Sequence, residues 1–148
     1  MSSILDLCRD LEMVSFAPGE VLLPQGGKTG CLYILVSGRL EVLQGETSIT
    51  FIEEPGSIVG ELSVLLDVPH QVDVKAVVPT VCRVTRGGRA FLGSSPEITL
   101  MVADVLAKRL KGMLGYLSDI KMQYEDRKDQ LGMVDEVLLN LAHRVPKR

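Results

Sequence analysis

Residues 31 to 43 constrain the fold more than any other stretch of this chain. Leu32, Ile34 and Val36 alternate with Tyr33, Leu35 and Ser37, Gly38 interrupts the run, and Leu40, Glu41, Val42 and Leu43 resume it. A period of two is the period of a strand. Both faces of the first part are apolar, so that strand must be covered on both sides. This demands a closed or sandwiched β structure.

The neighbouring segments repeat the signal. Val21-Leu22-Leu23, Ser48-Ile49-Thr50-Phe51-Ile52, Ile58-Val59, Val72-Asp73-Val74-Lys75-Ala76 and Val81-Cys82-Arg83-Val84 each read as a short strand. Turn chemistry separates them: Pro18-Gly19, Pro24 with Gln25-Gly26-Gly27, Ser37-Gly38-Arg39, Gln44-Gly45-Glu46, Pro55-Gly56 and Pro79-Thr80. Many short strands between such turns predict a barrel or sandwich. In Val72–Ala76 the apolar set faces the core, which turns Asp73 and Lys75 outward.

Helices flank this β region. Ile4, Leu7, Cys8 and Leu11 recur at helical spacing, which predicts a short amphipathic helix over Ile4–Met13. Ser95-Pro96-Glu97 combines a serine cap, proline at the first helical position and an acidic first turn, so a long helix begins there. Leu106, Leu110, Met113, Leu117, Ile120 and Tyr124 then follow spacings of four and three, the seam of a two-stranded coil. The same seam also fits an ordinary intramolecular core. The polar run Glu125–Gln130 and Gly132 interrupt it, and Leu131, Val134, Leu138 and Leu141 predict a second helix to about Ala142. The run reads equally as a hinge or a solvated face. The expected division is residues 1–117, the β region with its flanking helices, and 118–148, a helical extension.

Composition excludes several functions. Lys and Arg number 16 against 19 Asp and Glu, for a net charge of −3, so nothing supports a nucleic-acid partner. No apolar run reaches the ~18 residues of a membrane span, and the N-terminus lacks a signal-peptide pattern, so a cytoplasmic protein is expected. Cys8, Cys31 and Cys82 are widely spaced, which fits buried reduced thiols. With two histidines, His70 and His143, no metal site is expected, and a cupin barrel with its metal-binding histidines is excluded. No nucleophile–base pair appears, so no catalytic residue and no enzyme are expected.

The segment Ile58–Ala76 carries the candidate site. A strand meets Gly60, and Glu61, Leu62 and Ser63 open a short helix that Asp67-Val68-Pro69-His70 ends. Gly60 permits a tight turn or a close ligand. The first-turn N–H groups suit an anion, with the Glu61 carboxylate beside them to accept from hydroxyls. The same residues also fit a strand–helix–strand corner that only fills a core.

Gly60-Glu61-Leu62-Ser63, then Leu65-Leu66, a proline and the strand ending Val74-Lys75-Ala76 resemble the phosphate-binding cassette of the cyclic-nucleotide-binding domain family, which includes catabolite activators and kinase regulatory subunits. The resemblance covers about Phe16 to Leu117. It implies an eight-stranded antiparallel β-roll, jelly-roll-like (a double-stranded β-helix), with a short N-terminal and a long C-terminal helix. It implies that Glu61 meets the ribose 2′-hydroxyl of cyclic AMP or cyclic GMP and that amides after Gly60 hold the cyclic phosphate. The implied ligand set is Gly60, Glu61, Leu62, Ser63, His70 and Gln71. The helix after the roll would close over the base near Met113 and Leu114 and pair with its twin in a homodimer.

Two departures bear on function. Where the family has arginine after the proline, this chain has His70. Arginine meets a cyclic phosphate with a permanent charge and a planar fork, whereas histidine is only partly protonated at neutral pH. Losing that contact costs about 2–4 kcal/mol, or ~30- to 1000-fold in affinity. Met113 and Leu114 can stack on a purine but cannot hydrogen-bond to its edge. The sequence therefore predicts a sensory module with weakened, pH-dependent or altered ligand preference. The alternative is a ligand-free dimerisation or docking module for an unidentified protein. About 30 residues follow Leu117, too few for a helix-turn-helix.

Overall fold

A computed structural model describes residues 3–123 and 137–141. The elements run α1 (Ile4–Leu7), β1 (Glu12–Phe16), β2 (Val21–Leu23), β3 (Leu32–Ser37), β4 (Leu40–Gln44), β5 (Thr47–Ile52), β6 (Ile58–Val59), α2 (Glu61–Leu66), β7 (Asp73–Ala76), β8 (Thr80–Thr85), α3 (Gly88–Leu92) and α4 (Pro96–Gln123). The strands form two four-stranded antiparallel sheets, ordered β1-β8-β3-β6 and β2-β7-β4-β5. This is the eight-stranded β-roll the sequence implies.

The register explains why β3 is apolar on both faces. Tyr33 and Leu35 lie opposite Val84 and Cys82 of β8. Leu35 and Cys82 join Leu22, Leu23, Leu40, Val59, Val74 and Ala76 in the core between the sheets. Phe16 meets Tyr33 edge to face there, with ring centroids 5.7 Å apart. Leu32, Ile34 and Ile58 belong to the opposite face by strand alternation and are equally buried. Gly88 of α3 packs against Leu32 and Val64 so closely that a Cβ would come within 3.0 Å of each side chain.

The chain passes from one sheet to the other between β3 and β4, and Gly38 makes that corner. Its φ is +107°, and a Cβ would drive into the backbone and hydroxyl of Thr80. Thr80 is fully buried, and its Oγ1 accepts from Arg39 N–H at 3.2 Å and donates to the Val78 carbonyl at 2.8 Å.

The helix expected over Ile4–Met13 is much shorter. Ser3 and Asp6 form a capping box, but the helix stops at Leu7. Glu12 and Met13 instead enter β1, opposite Val84 and Arg83 of β8. Pairing with β8 outweighs an i, i+3, i+4 pattern that spans fewer than three turns. Helix α3 was not expected. Cys8 and Cys82 are buried and Cys31 is half-buried, all three as free thiols. Burial pushes Cys8 and Cys82 up to about 11. Asp73 and Lys75 do turn from the core, where Lys75 Nζ lies 3.6 Å from a Glu41 carboxylate oxygen. None of the helices among the described residues is long and apolar enough to cross a membrane.

Two compact units divide the chain, residues 1–99 and 100–148. The start of α4 belongs to the first, where Ser95 Oγ accepts from Ile98 N–H at 3.2 Å, the cap the sequence predicts. In the second, α4 runs unbroken to Gln123. Leu110 and Met113 are exposed there, and Leu106, Leu114, Leu117 and Ile120 are half-buried. Residues 137–141 are helical, within the predicted second helix. Tyr124 and the proposed hinge at Gln130–Gly132 lie outside the described residues.

The corner is directly testable. Gly38→Ala adds both backbone strain and a clash, so it should destabilise by about 2–5 kcal/mol in urea unfolding. Gly19 has φ +91° with open space for at least 4 Å around the point a Cβ would occupy, so Gly19→Ala should cost only the strain. Equal losses would show that Thr80 yields to the methyl group.

Candidate functional site

The cassette begins where β6 reaches Gly60. That residue has φ +98°, and a Cβ there would lie 2.5 Å from the Cys31 carbonyl oxygen. Only glycine satisfies both conditions. Gly60 is the N-cap of α2 and, lacking a side chain, makes no capping hydrogen bond of its own. Glu61 follows and is buried, an unusual setting for a carboxylate.

Beyond Glu61 the helix has two faces. Ser63 is buried, and its hydroxyl donates to the Val68 carbonyl at 2.5 Å. That bond helps to close the far end, where Asp67 takes a left-handed φ of 54°. Leu62 is exposed, as are Leu65 and Leu66. Of the predicted ligand set, Gly60, Glu61, Leu62 and Ser63 thus lie on one turn. Gln71 is exposed, and its side chain donates to the Pro69 carbonyl at 3.0 Å.

His70 is 4% exposed. Its Nε2 lies 2.8 Å from Thr29 Oγ1. Its N–H donates to the Gly27 carbonyl and its carbonyl accepts from Gly26 N–H, both at 2.8 Å. Burial pushes the imidazole below its ordinary 6.5. The neutral form is therefore favoured at pH 7, and protonation is displaced to more acid pH than an exposed histidine would need. The unfolded chain binds that proton more readily, so this contribution to stability is full above about pH 6.5 and is lost as pH falls.

The loop between β2 and β3 is a part of the site that the sequence did not disclose. Gln25 N–H donates to Asp73 Oδ1 at 2.6 Å, Lys28 Nζ lies 2.8 Å from Asp67 Oδ1, and Thr29 reaches His70. The loop therefore lies against the cassette from Asp67 to Asp73. Its signal was the pair Gly26-Gly27 opposite Pro69-His70, which becomes readable only once the strands are placed. Of the arginines between the start of β8 and the end of α3, Arg83 donates to the Leu11 carbonyl, Arg86 pairs with Glu12 at 2.6 Å, and Arg89 donates to the Leu65 carbonyl at 3.4 Å. Met113 and Leu114 lie on α4 in the second unit, Met113 exposed and Leu114 half-buried. Among the described residues no cluster of histidine, cysteine or carboxylate side chains could hold a metal ion.

Comparison with known proteins agrees with this geometry. The model of the cyclic nucleotide-binding domain matches residues 13–89, from β1 to the start of α3. A CRP-like cAMP-activated global transcriptional regulator of Mycobacterium tuberculosis is 28% identical over 97% of this chain. The chain spans 64% of that regulator's length. The Thermus thermophilus catabolite activator protein superposes with a TM-score of 0.64 at 19% identity, over 81% of this chain and 57% of its own. The regulatory subunit of a cAMP-independent protein kinase A from Trypanosoma brucei, as a triple mutant with cAMP bound in its A site, gives a TM-score of 0.56. It is 26% identical over 71% of this chain and 38% of its own. The matched segment covers more than half of the chain and contains the whole Gly60–Gln71 cassette, and the chain belongs to the cyclic nucleotide-binding domain family.

Proposed function

We propose that this chain is a non-catalytic, cytoplasmic regulatory module whose cassette, Gly60 to Gln71, takes a cyclic nucleotide with attenuated affinity. Glu61 would accept from the ribose 2′-hydroxyl, and the amides after Gly60 would hold the cyclic phosphate. His70 carries the reading. It stands where the resemblance places an arginine, and it is buried, neutral and engaged with Thr29. The cassette thus keeps its backbone cradle and lacks a permanent countercharge at that position. The regulator from M. tuberculosis, named as cAMP-activated, supports the ligand class. The trypanosome subunit, named as cAMP-independent, supports attenuation: its cAMP-bound mutant replaces a threonine by arginine, together with two alanine substitutions.

A second reading has its own observation. The inward contact of His70 with Thr29 fits a roll that no longer answers to ligand and serves as a docking module for a protein partner. In either reading Leu110, Met113 and Leu117 of α4 would pair two copies, with Met113 and Leu114 over the base where a nucleotide binds.

Calorimetric titration with cyclic AMP and cyclic GMP decides between them. His70→Arg should strengthen binding by roughly tenfold or more, the scale of a charged, bidentate contact. In the unmodified protein affinity should stay flat from pH 8 to 7 and rise only as pH falls below about 6.5, because burial delays the imidazolium. The arginine variant should show no such rise. If it binds no better than the unmodified protein, the docking reading takes its place.

Pairing of copies is tested separately. Met113→Glu with Leu117→Glu should convert a dimer to a monomer in sedimentation while the far-ultraviolet spectrum is kept. A monomeric unmodified protein at micromolar concentration would rule the pairing out.

A further inference from the structure

Thr29 has a second contact besides His70. Its Oγ1 accepts from Cys31 N–H at 3.2 Å, within the turn that leads into β3. A threonine hydroxyl has one proton to give and two lone pairs. With Cys31 N–H on one lone pair, the hydroxyl still has its proton to give, and His70 Nε2 lies 2.8 Å away. With Nε2 as the acceptor, the imidazole proton resides on Nδ1. An imidazolium carries protons on both nitrogens, so it cannot accept this bond.

The main chain holds the two side chains in register. Gly26 and Gly27 exchange two backbone hydrogen bonds with His70, and the ion pair Lys28–Asp67 and the Gln25–Asp73 bond flank them. The charged groups on the surrounding elements are Lys28 on the loop, Glu61 and Asp67 at the two ends of α2, Asp73 and Lys75 on β7, the latter beside Glu41, and Arg89 on α3, which meets the Leu65 carbonyl. Lys28 and Asp67 offset each other, Asp73 is engaged with Gln25, and burial alone accounts for the displaced titration of His70.

We propose that Thr29 is the positioning residue of the cassette: its hydroxyl fixes His70 as the Nδ1–H tautomer, turned to the β2–β3 loop and unavailable as a countercharge. Thr29 acts through His70 and touches no ligand in this role. The inference deepens the cyclic-nucleotide reading by naming what keeps the site attenuated, and its first test needs no ligand.

Nitrogen-15 NMR of the imidazoles in a His143→Gln background isolates His70. The expected spectrum at pH 7.5 is that of a neutral ring with the proton on Nδ1. Thr29→Ala removes the donor and admits water, so the proton should shift toward Nε2. The apparent pKa should rise by about half a unit or more, the shift that loss of one ordinary hydrogen bond produces. Thr29→Ser keeps the hydroxyl and should restore both signatures, which a purely steric role for Thr29 would not require. An Nε2–H ring in the unmodified protein, or an unchanged tautomer and titration in Thr29→Ala, overturns the proposal. Calorimetry with cyclic AMP at pH 6 adds the second arm, in which Thr29→Ala should bind several-fold tighter than the unmodified protein. If the NMR signatures shift and neither protein binds, the role of Thr29 stands and the ligand reading falls.

Discussion

The close approach of Gly60 to the Cys31 carbonyl is the constraint on which the site depends. The two-residue strand β6 has no length with which to hold a helix in place. The meeting of two backbones supplies that precision instead. Because no side chain intervenes, α2 starts directly against the edge of β3, and Glu61 and Ser63 are buried as the chain turns. Any residue with a Cβ would push α2 away and open the region that a ligand or a loop must contact. The cost of that fit is borne by glycine's greater loss of backbone freedom on folding.

Much of this was legible in the sequence, for reasons that can be traced to particular residues. Leu32–Ser37 had to be covered on both faces, and the structure covers it with the second sheet on one side, while on the other Leu32 lies against Gly88 of α3. Ser95 caps α4 as its position before a proline suggests. The failures share a cause. The pattern Ile4, Leu7, Cys8, Leu11 is helical by period, yet β8 offers Glu12 and Met13 a ladder, and tertiary pairing outweighs a weak local preference. Helix α3 is a single turn of five residues, too short to show a period. Thr29 lies 41 positions from His70, and nothing local marks it as a partner.

The two residue types at position 70 solve different physical problems. An arginine cannot shed its charge, so a roll that buries one must provide an anion or leave the side chain in water. A histidine can be buried neutral, hydrogen-bonded to a hydroxyl and closed off from solvent. Replacing one by the other therefore changes what the empty fold costs as well as what the ligand gains. The arginine version leaves a charge waiting for its partner, whereas the histidine version completes the cassette from within the chain. Under the proposed function, His70 would shift the balance toward the unliganded state before any nucleotide is considered.

Strand β5 closes one end of its sheet, and its geometry has a consequence for colloidal behaviour. The register with β4 jumps from Val42 opposite Thr50 to Leu43 opposite Ser48, so Ile49 is the extra residue of a bulge. Glu46 and Glu53 bracket the strand, and the Arg39 guanidinium rests 4.0 Å above the Phe51 ring. A second chain laying itself along this border would lose its pairing after two or three residues and would meet a carboxylate at each end. The longest border strand among the described residues is thus a poor template for fibre growth, although its side chains are uncharged and rich in β-formers.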